Sequence, residues 1–138
     1  MPSTAEPMLA QVQQQFQALV AYGTGPETRA RTADEVELTL FRRRLSLGAA
    51  LLRRCCISRA AVRPTAPIRS PDGPRLAYHD RRPTSYSSVF GKLVFHRQAF
   101  TAPNQPVVCP LDAALSLPAR CSSDLLREWL AYGTTDAA

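Results

Sequence analysis

The chain has 138 residues, of which 17 are Lys or Arg and 11 are Asp or Glu, so its formal net charge is +6. This length suits one ordinary domain, but 12 prolines, most of them between Pro64 and Pro118, favour a small composite body over one continuous core. We find no signal peptide and no apolar run approaching the roughly 18 residues of a membrane-spanning helix. We therefore expect a cytoplasmic protein without membrane attachment.

Positive charge is concentrated in the middle of the chain. Residues 29–97 include 15 basic and 5 acidic residues, whereas residues 1–28 and residues 98–138 each carry a net charge of −2. Of the 17 basic residues, 16 are arginine, whose planar fork of donors suits bidentate contact with phosphates and with guanine edges. The middle segment therefore indicates a polyanionic partner such as nucleic acid, although a codon bias toward arginine would give the same excess.

The four cysteines do not form the paired Cys-x-x-Cys units of a structural zinc site. Cys55 and Cys56 are adjacent, and neighbours on a helix point about 100° apart, which makes them poor co-ligands. Cys109 and Cys121 alone supply too few ligands. We predict reduced thiols, no metal and no cofactor.

A first helix is predicted from about Pro7 to Tyr22. Its apolar residues recur at helical spacing and form one stripe, while the opposite side is rich in glutamine. The residues of the stripe are Leu9, Val12, Phe16, Leu19 and Val20. The sequence Gly23-Thr24-Gly25-Pro26 is expected to end this helix.

A second helix is predicted over Ala33–Cys56. It opens with a capping box, in which the Thr32 hydroxyl accepts from the Glu35 amide while the Glu35 side chain reaches back. Its apolar residues are expected to form a buried face, with arginines toward the outside. That face comprises Val36, Leu40, Phe41, Leu45, Leu47, Leu51 and Leu52.

Residues 58–75 contain four prolines and a Pro-Asp-Gly-Pro turn, which predicts an extended basic linker. Three short β-branched and aromatic runs follow, at Leu76–Tyr78, Thr84–Phe90 and Lys92–Phe100, and Gly91 between the last two indicates a hairpin. Asp80-Arg81-Arg82-Pro83 is expected to be a turn. The simplest arrangement is a three-stranded antiparallel meander.

The segment Thr101–Pro118 is rich in proline and is predicted to be a loop whose leucines 111, 115 and 117 enter a core. A final helix is expected to begin at Ser122 or Ser123, with Leu125, Leu126, Trp129 and Leu130 apolar, and to stop near Gly133. The predicted fold class is therefore α+β. It comprises an N-terminal helical pair over residues 1–57, the linker over 58–75, and the meander with its C-terminal helix over 76–138.

Few residues suggest catalysis. His79 beside Asp80 is the composition of an acid-base pair, but adjacent strand residues face opposite sides, so we expect these side chains not to converge. Asp112 is interpreted as a turn or helix-cap residue, because a two-metal site needs several converging carboxylates. No phosphate-binding glycine loop or nucleophile elbow is present. We predict neither enzymatic activity nor a small-molecule substrate.

Aromatic and basic residues interleave between Tyr78 and Phe100, which is the composition of a surface that stacks bases and neutralises phosphates. The alternative is that Phe90, Phe95 and Phe100 fill the core of a small sheet, with the charges on a solvated face. For the helix arginines the alternative is likewise a solvated face. The candidates for DNA contact are Arg42, Arg43, Arg81, Arg82, Lys92 and Arg97.

Two segments of the C-terminal half resemble the N-terminal region of bacterial insertion-sequence transposases of the Kra group. The matching residues are His79, Arg81, Arg82, Tyr86, Ser88, Val89, Phe90, Gly91, Pro110, Leu111, Asp112, Leu117 and Pro118. The resemblance implies an N-terminal region that recognises DNA at the ends of the element, followed by a ribonuclease H-like domain whose acidic triad cuts and joins strands. It reaches only the first part, so we expect a truncated transposase with the triad beyond Ala138.

Two alternatives to DNA-end binding stay open. The glutamine-rich first helix and the leucine-rich second helix suit a protein-protein module that assembles transposase subunits, including by self-association. The other alternative is that the chain is a remnant of a decayed mobile element and has no function. Salt dependence separates the first two hypotheses, because phosphate contacts weaken steeply with salt and an apolar helix interface does not.

Overall fold

The computed structural model describes residues 5–71 and 73–135. The chain divides into two compact units, Met1–Cys55 and Cys56–Ala138, which we call unit 1 and unit 2. The architecture is α+β, as predicted, with helices followed by an antiparallel sheet and a C-terminal helix. No helix within the described ranges is both long and apolar enough to traverse a bilayer.

Unit 1 consists of helix α1 (Ala5–Thr24), a 3₁₀ turn over Pro26–Ala30 and most of helix α2 (Ala33–Ala61). The first helix is confirmed, and it extends about two residues beyond each predicted end. Gly25 then turns the chain, and a Cβ at this position would lie only 2.5 Å from the carbonyl oxygen of Ala21. A glycine is therefore required where the backbone approaches itself so closely.

The capping box predicted at the start of α2 is confirmed. The Thr32 amide donates to Glu35 Oε2 at 3.0 Å, and the Glu35 amide donates to Thr32 Oγ1 at 3.2 Å. The helix ends at Ala61 rather than at Cys56. The reason is that no helix breaker occurs before Pro64, which disfavours helical backbone at the residue before it.

The face of α2 that we predicted to be buried is only partly covered. Phe41 and Leu51 are exposed, and the other five residues of that face are half-buried. The buried apolar side chains of unit 1 described by the structure are Val12 and Tyr22 on α1. A pair of helices has no third layer to enclose the two stripes, which explains the difference from the expectation.

Unit 2 is built on a hairpin of two antiparallel strands, β1 (Ala77–Ser88) and β2 (Gly91–Thr101). We expected three strands, but the segment Asp80–Pro83 that we assigned to a turn is part of β1 and pairs with β2. On the side away from β2, the described residues form a bridge to β1 only at Ser87, which pairs with Ser122, so the missing amide hydrogen of Pro83 breaks no ladder there. The first two predicted strands are therefore one.

The hairpin predicted at Gly91 is confirmed. Val89 and Phe90 form the turn, and Gly91 has a φ of 115°, where glycine is strongly favoured. The Ser88 hydroxyl accepts a hydrogen bond from the Phe90 amide at 3.1 Å and donates one to the Gly91 carbonyl at 2.8 Å. A single buried hydroxyl thus closes the turn.

The core of unit 2 lies on one face of this hairpin. Leu93, Phe95 and Ala99 occupy alternate positions of β2 and are buried, as strand geometry requires of one face. Phe95 is 2% exposed and is therefore a core residue. Phe100 is half-buried and Phe90 lies at the exposed tip, so the aromatic residues divide between core and surface.

The proline-rich segment after α2 is not the extended linker that we predicted. Its first residues, 58–61, belong to α2. Beyond them the Leu76 amide donates to the Ile68 carbonyl at 2.8 Å, and the Ser70 amide donates to the Pro74 carbonyl at 2.9 Å. The buried Ser70 side chain also contacts Gln105 Oε1 at 2.7 Å. The segment is thus folded into unit 2, while Asp72 of the predicted turn lies outside the described residues.

The segment after β2 contains a one-turn helix, α3 (Pro110–Ala114), within the predicted loop. Leucines 111, 115 and 117 are half-buried there, so they reach the core only in part. The last helix, α4, spans Asp124–Thr135 and passes Gly133, where we expected it to stop. Its predicted cap is confirmed, because Ser123 Oγ accepts from the Leu126 amide at 2.9 Å.

Candidate nucleic-acid interface

The six basic residues that we selected from the sequence belong to different units. Arg42 and Arg43 lie on α2 in unit 1, and the remaining four lie on the hairpin of unit 2. Arg43 places its guanidinium carbon 4.5 Å from the centroid of the Tyr22 ring, a cation–π distance. That contact gives Arg43 a structural role inside unit 1.

The two faces of the hairpin divide the other four residues. Residues paired directly across an antiparallel ladder project to the same side, so Arg82 and Arg97 share the core face with the Thr84–Phe95 pair. Arg81 pairs with Gln98, and Lys92 pairs with Ser87, on the opposite side. We call that opposite side the outer face. Only Arg81 and Lys92 of the predicted set therefore lie there.

Arg97 on β2 contacts an acidic residue elsewhere in unit 2. Its Nε lies 3.1 Å from Oδ1 of Asp112 in α3, although the angle is too poor for a hydrogen bond between these atoms. Burial alone would lower the pKa of Arg97, but a hydrogen bond to Cys109 and the charge of Asp112 raise it above its usual value. Arg97 is thus charged, and its charge is largely offset by Asp112.

Asp112 lies in the first turn of α3, close to our prediction of a turn or cap position. The prediction did not foresee its partner. No sequence pattern joined Asp112 to Arg97, because the two residues meet only through the loop that folds back between β2 and α3. The ion pair is a contact within unit 2 that places Asp112 against the Arg97 side chain.

A β-bulge brings together two groups that we expected to face apart. The register passes from Tyr78–Phe100 directly to Asp80–Ala99 and leaves His79 without a cross-strand partner. His79 Nδ1 lies 3.2 Å from Asp80 Oδ1, and Arg82 Nε lies 3.1 Å from the same oxygen. Our expectation for His79 and Asp80 was wrong because a bulge breaks the strict alternation of a strand.

These contacts shift the titration of Asp80 to lower pH. The hydrogen bond from His79 and the contact with Arg82 lower the pKa of Asp80 below its usual value, against the opposing effect of desolvation. The cluster therefore offsets the charge of Arg82 at the sheet surface.

Arg81 lines a cleft of about 420 Å³ where the outer face of the hairpin meets the end of α2. We call it the Arg63–Arg81 cleft. Two arginines, two aromatic rings, an amide and small apolar groups line it, without an acidic residue among them. The lining residues are Ala60, Ala61, Arg63, Pro64, Tyr78, Arg81, Gln98 and Phe100.

Contacts within unit 2 hold the walls of this cleft in place. Tyr78 and Phe100 are paired across the strands with their ring centroids 5.9 Å apart and their planes at 78°. Gln98 Nε2 donates to the Ala60 carbonyl at 3.3 Å, which joins β2 to the last turn of α2. Tyr78 remains 56% exposed, so much of its ring is open to solvent.

Sequence reasoning did not select Arg63. We assigned its segment to an extended linker, which gave this side chain no fixed neighbours. A usable signal was present, because Arg63 precedes Pro64 and follows a helix without a breaker, so it stands where the helix must end.

The described residues contain no group of three or more His, Cys, Asp or Glu side chains that could hold a metal ion. All four cysteines lie within the described ranges, and none of them forms a disulfide. Comparison of the chain with protein-family models, with curated proteins and with solved structures gives no match.

Proposed function

We propose that unit 2 binds nucleic acid through the outer face of its hairpin and the Arg63–Arg81 cleft. The observation that supports this most directly is the cleft itself, whose lining includes two arginines and no carboxylate. Neither Arg63 nor Arg81 forms an ion pair with a described residue. Two arginines that line one cleft without an acidic neighbour attract anions, and a phosphate suits the guanidinium fork.

The distribution of ion pairs narrows the predicted contact set. Arg82 is offset by Asp80 and Arg97 by Asp112, so these two arginines add little to the potential of the surface. Lys92 is exposed on the outer face that also carries Arg81. We therefore assign phosphate contact to Arg63, Arg81 and Lys92.

The resemblance to Kra-group transposases gives this proposal a specific partner, the DNA at the ends of an insertion element. The first segment of the resemblance runs from His79 to Gly91 and covers most of β1, the following turn and the first residue of β2. Arg81 lies on β1. In this proposal the chain contributes DNA recognition within a transposase. Strand cleavage is assigned to none of its residues.

The test is a fluorescence-anisotropy titration of the full chain against duplexes with element-end and scrambled sequences, at about 50 and 200 mM salt. We expect binding that weakens with salt, with a slope near 0.9 per phosphate contact. Arg81→Gln is expected to reduce that slope by about one. Arg120→Gln, which removes the same charge from an exposed loop outside the cleft, is the matched control.

Salt-insensitive binding, or equal losses from Arg81→Gln and Arg120→Gln, would contradict the assignment to this surface. Equal affinity for the element-end and scrambled duplexes would support DNA binding but contradict the element end as its specific target. A folded, monodisperse sample that binds neither duplex would contradict the proposal and favour one of the two alternatives.

A protein-protein assembly role for unit 1 is a second candidate. A groove of about 480 Å³ between α1 and α2 is lined by Val12, Gln13, Phe16, Gln17, Leu47 and Leu51. Phe16 is 54% exposed and Leu51 is 46% exposed, which is costly for a helical pair alone in water. Self-association through these side chains would cover them.

Sedimentation over a range of protein concentrations tests this second role. A salt-insensitive dimer that Phe16→Glu dissociates would support it, and Gln14→Glu on another part of α1 is the control. A monomer at every concentration would contradict self-association. If DNA binding also fails, the remaining account is a remnant without function.

A further inference from the structure

We infer that the Arg63–Arg81 cleft receives one unpaired nucleotide, with its phosphate between the two arginines and its base against Tyr78. This inference rests on the proposed nucleic-acid binding and specifies what the cleft selects. The volume of about 420 Å³ lies within the range of roughly 300–1,000 Å³ typical of small-ligand sites. The cleft is thus suited to one nucleotide rather than to the width of a duplex.

The charges of the cleft differ from those elsewhere on the hairpin. Arg82 and Arg97 each have a carboxylate oxygen 3.1 Å from Nε. Arg63 and Arg81 line a cleft without a carboxylate, and both side chains are exposed. An anion bound in this cleft meets two arginines and no described carboxylate, and a phosphodiester presents two oxygens to such a pair.

The aromatic wall is what extends the inference from phosphate to nucleotide. Phe100 meets Tyr78 edge to face, which holds the ring while leaving it more than half exposed. The β-bulge at His79 follows directly, and bulges re-aim the side chains beside them. A braced, exposed aromatic ring next to cations is the arrangement on which proteins stack unpaired bases.

The remaining lining is consistent with a base edge. Gln98 directs its amide nitrogen to the Ala60 carbonyl, so its amide oxygen is the acceptor left for an exocyclic amine. Ala60, Ala61 and Pro64 supply small apolar walls. A planar, partly polar ring suits such a lining better than a second phosphate does.

An unpaired base is required because a base within a duplex has both faces covered by its neighbours. Arg81 and Lys92 can still contact the phosphates of a duplex from the outer face. Duplex binding therefore depends on the cations of the outer face, whereas nucleotide binding in the cleft also requires an unpaired base. Single-stranded DNA, RNA and a free mononucleotide share the chemistry that fits the cleft, and the experiment separates these sources.

The experiment compares the affinity of the full chain for single strands of equal length and charge, with normal or abasic nucleotides. Blunt duplex, the matching RNA strand and AMP as a competitor complete the set. We expect the normal strand to bind at least fivefold more tightly than the abasic strand. Tyr78→Ala is expected to abolish that ratio while Tyr78→Phe retains it, and Trp129→Ala, which removes an exposed aromatic ring from α4, is the control.

Equal affinity for normal and abasic strands would overturn the inference in the wild-type chain, whatever the folding of the variants. If duplex binding persisted in that case, the proposed function would survive without the nucleotide site. A retained ratio in Tyr78→Ala would overturn the assignment of the base to Tyr78. Binding of AMP without any oligonucleotide would support the cleft and overturn the proposed nucleic-acid function.

Discussion

The guanidinium Nε of Arg97 on β2 lies 3.1 Å from the carboxylate Oδ1 of Asp112 in α3. This contact joins the one-turn helix to the core face of the hairpin. The Arg97 side chain is 21% exposed and that of Asp112 is 42% exposed, so solvent screens the attraction in part. Arg82 is paired directly opposite Arg97 in the ladder, and Asp112 offsets a repulsion that two facing cations would otherwise produce.

Asp112→Asn is expected to lower the free energy of unfolding of unit 2 by about 1 kcal/mol, because Arg97 then loses the negative charge that offsets its own. The folded-state pKa of Arg97 is raised above its ordinary, strongly basic value, so its contribution is complete at neutral and moderately alkaline pH and is lost only as pH rises through the folded pKa. The loss is therefore the same at about pH 6 and pH 9. Urea denaturation of both proteins measures it.

Asp124→Asn is the control for this variant. Asp124 is 90% exposed and lies 3.9 Å from Arg127, so removal of its charge is expected to change stability very little. Equal effects of the two substitutions would contradict a specific role for the Arg97–Asp112 pair.

Asp80 is expected to titrate below 3.8, and His79→Ala is expected to raise its pKa toward that value. Since the folded-state pKa is lowered, the stabilisation is present above pH 3.8 and is lost as pH falls through the folded value. Carboxyl carbon chemical shifts followed from neutral to acidic pH measure the pKa of Asp80 in the wild-type chain and in the variant. His96→Ala, on the outer face away from the bulge, is the control, and an equal shift in that variant would exclude the bulge contact as the cause.

The features that sequence reasoning predicted correctly are short-range. The Thr32–Glu35 capping box, the Ser123 cap and the turn at Gly91 each involve residues no more than a few positions apart. Their side chains act on nearby backbone groups, so local chemistry is enough to identify them.

The features that it missed depend on tertiary context. The strand through Pro83 is possible because β1 lies at an edge, and the bulge at His79 shifts the register by one residue. The Arg63–Arg81 cleft needs the end of α2 beside Gln98, which no periodicity encodes. The half-buried face of α2 shows likewise that an apolar stripe does not establish that something covers it.

Gly91→Ala is expected to destabilise the hairpin by about 1–3 kcal/mol, because a φ of 115° is strained for a residue with a Cβ. Space is not the reason, since a Cβ at Gly91 would meet no atom within 4 Å. Thermal unfolding compares this variant with Gly133→Ala, which lies in α4 and is equally open. We expect Gly133→Ala to be neutral or stabilising by up to about 1 kcal/mol, so a similar loss in both would contradict the backbone explanation.

Phe95 and Val94 are neighbours on β2 with opposite surroundings, and they test which face of the hairpin holds the core. Phe95 is 2% exposed and Val94 is 48% exposed. Phe95→Ala removes a buried ring that the surrounding side chains cannot replace, so we expect a loss of about 3–5 kcal/mol, a large part of the stability of a small folded unit. Val94→Ala is expected to cost well under about 1 kcal/mol.

Denaturant unfolding followed by circular dichroism gives both values. Comparable losses would mean that the outer face is covered as well, and this would also contradict the proposed role of that face. An outer face that binds nucleic acid must be open to solvent in the free protein. A large loss at Phe95 with a small one at Val94 is therefore the stability pattern that the proposed interface requires.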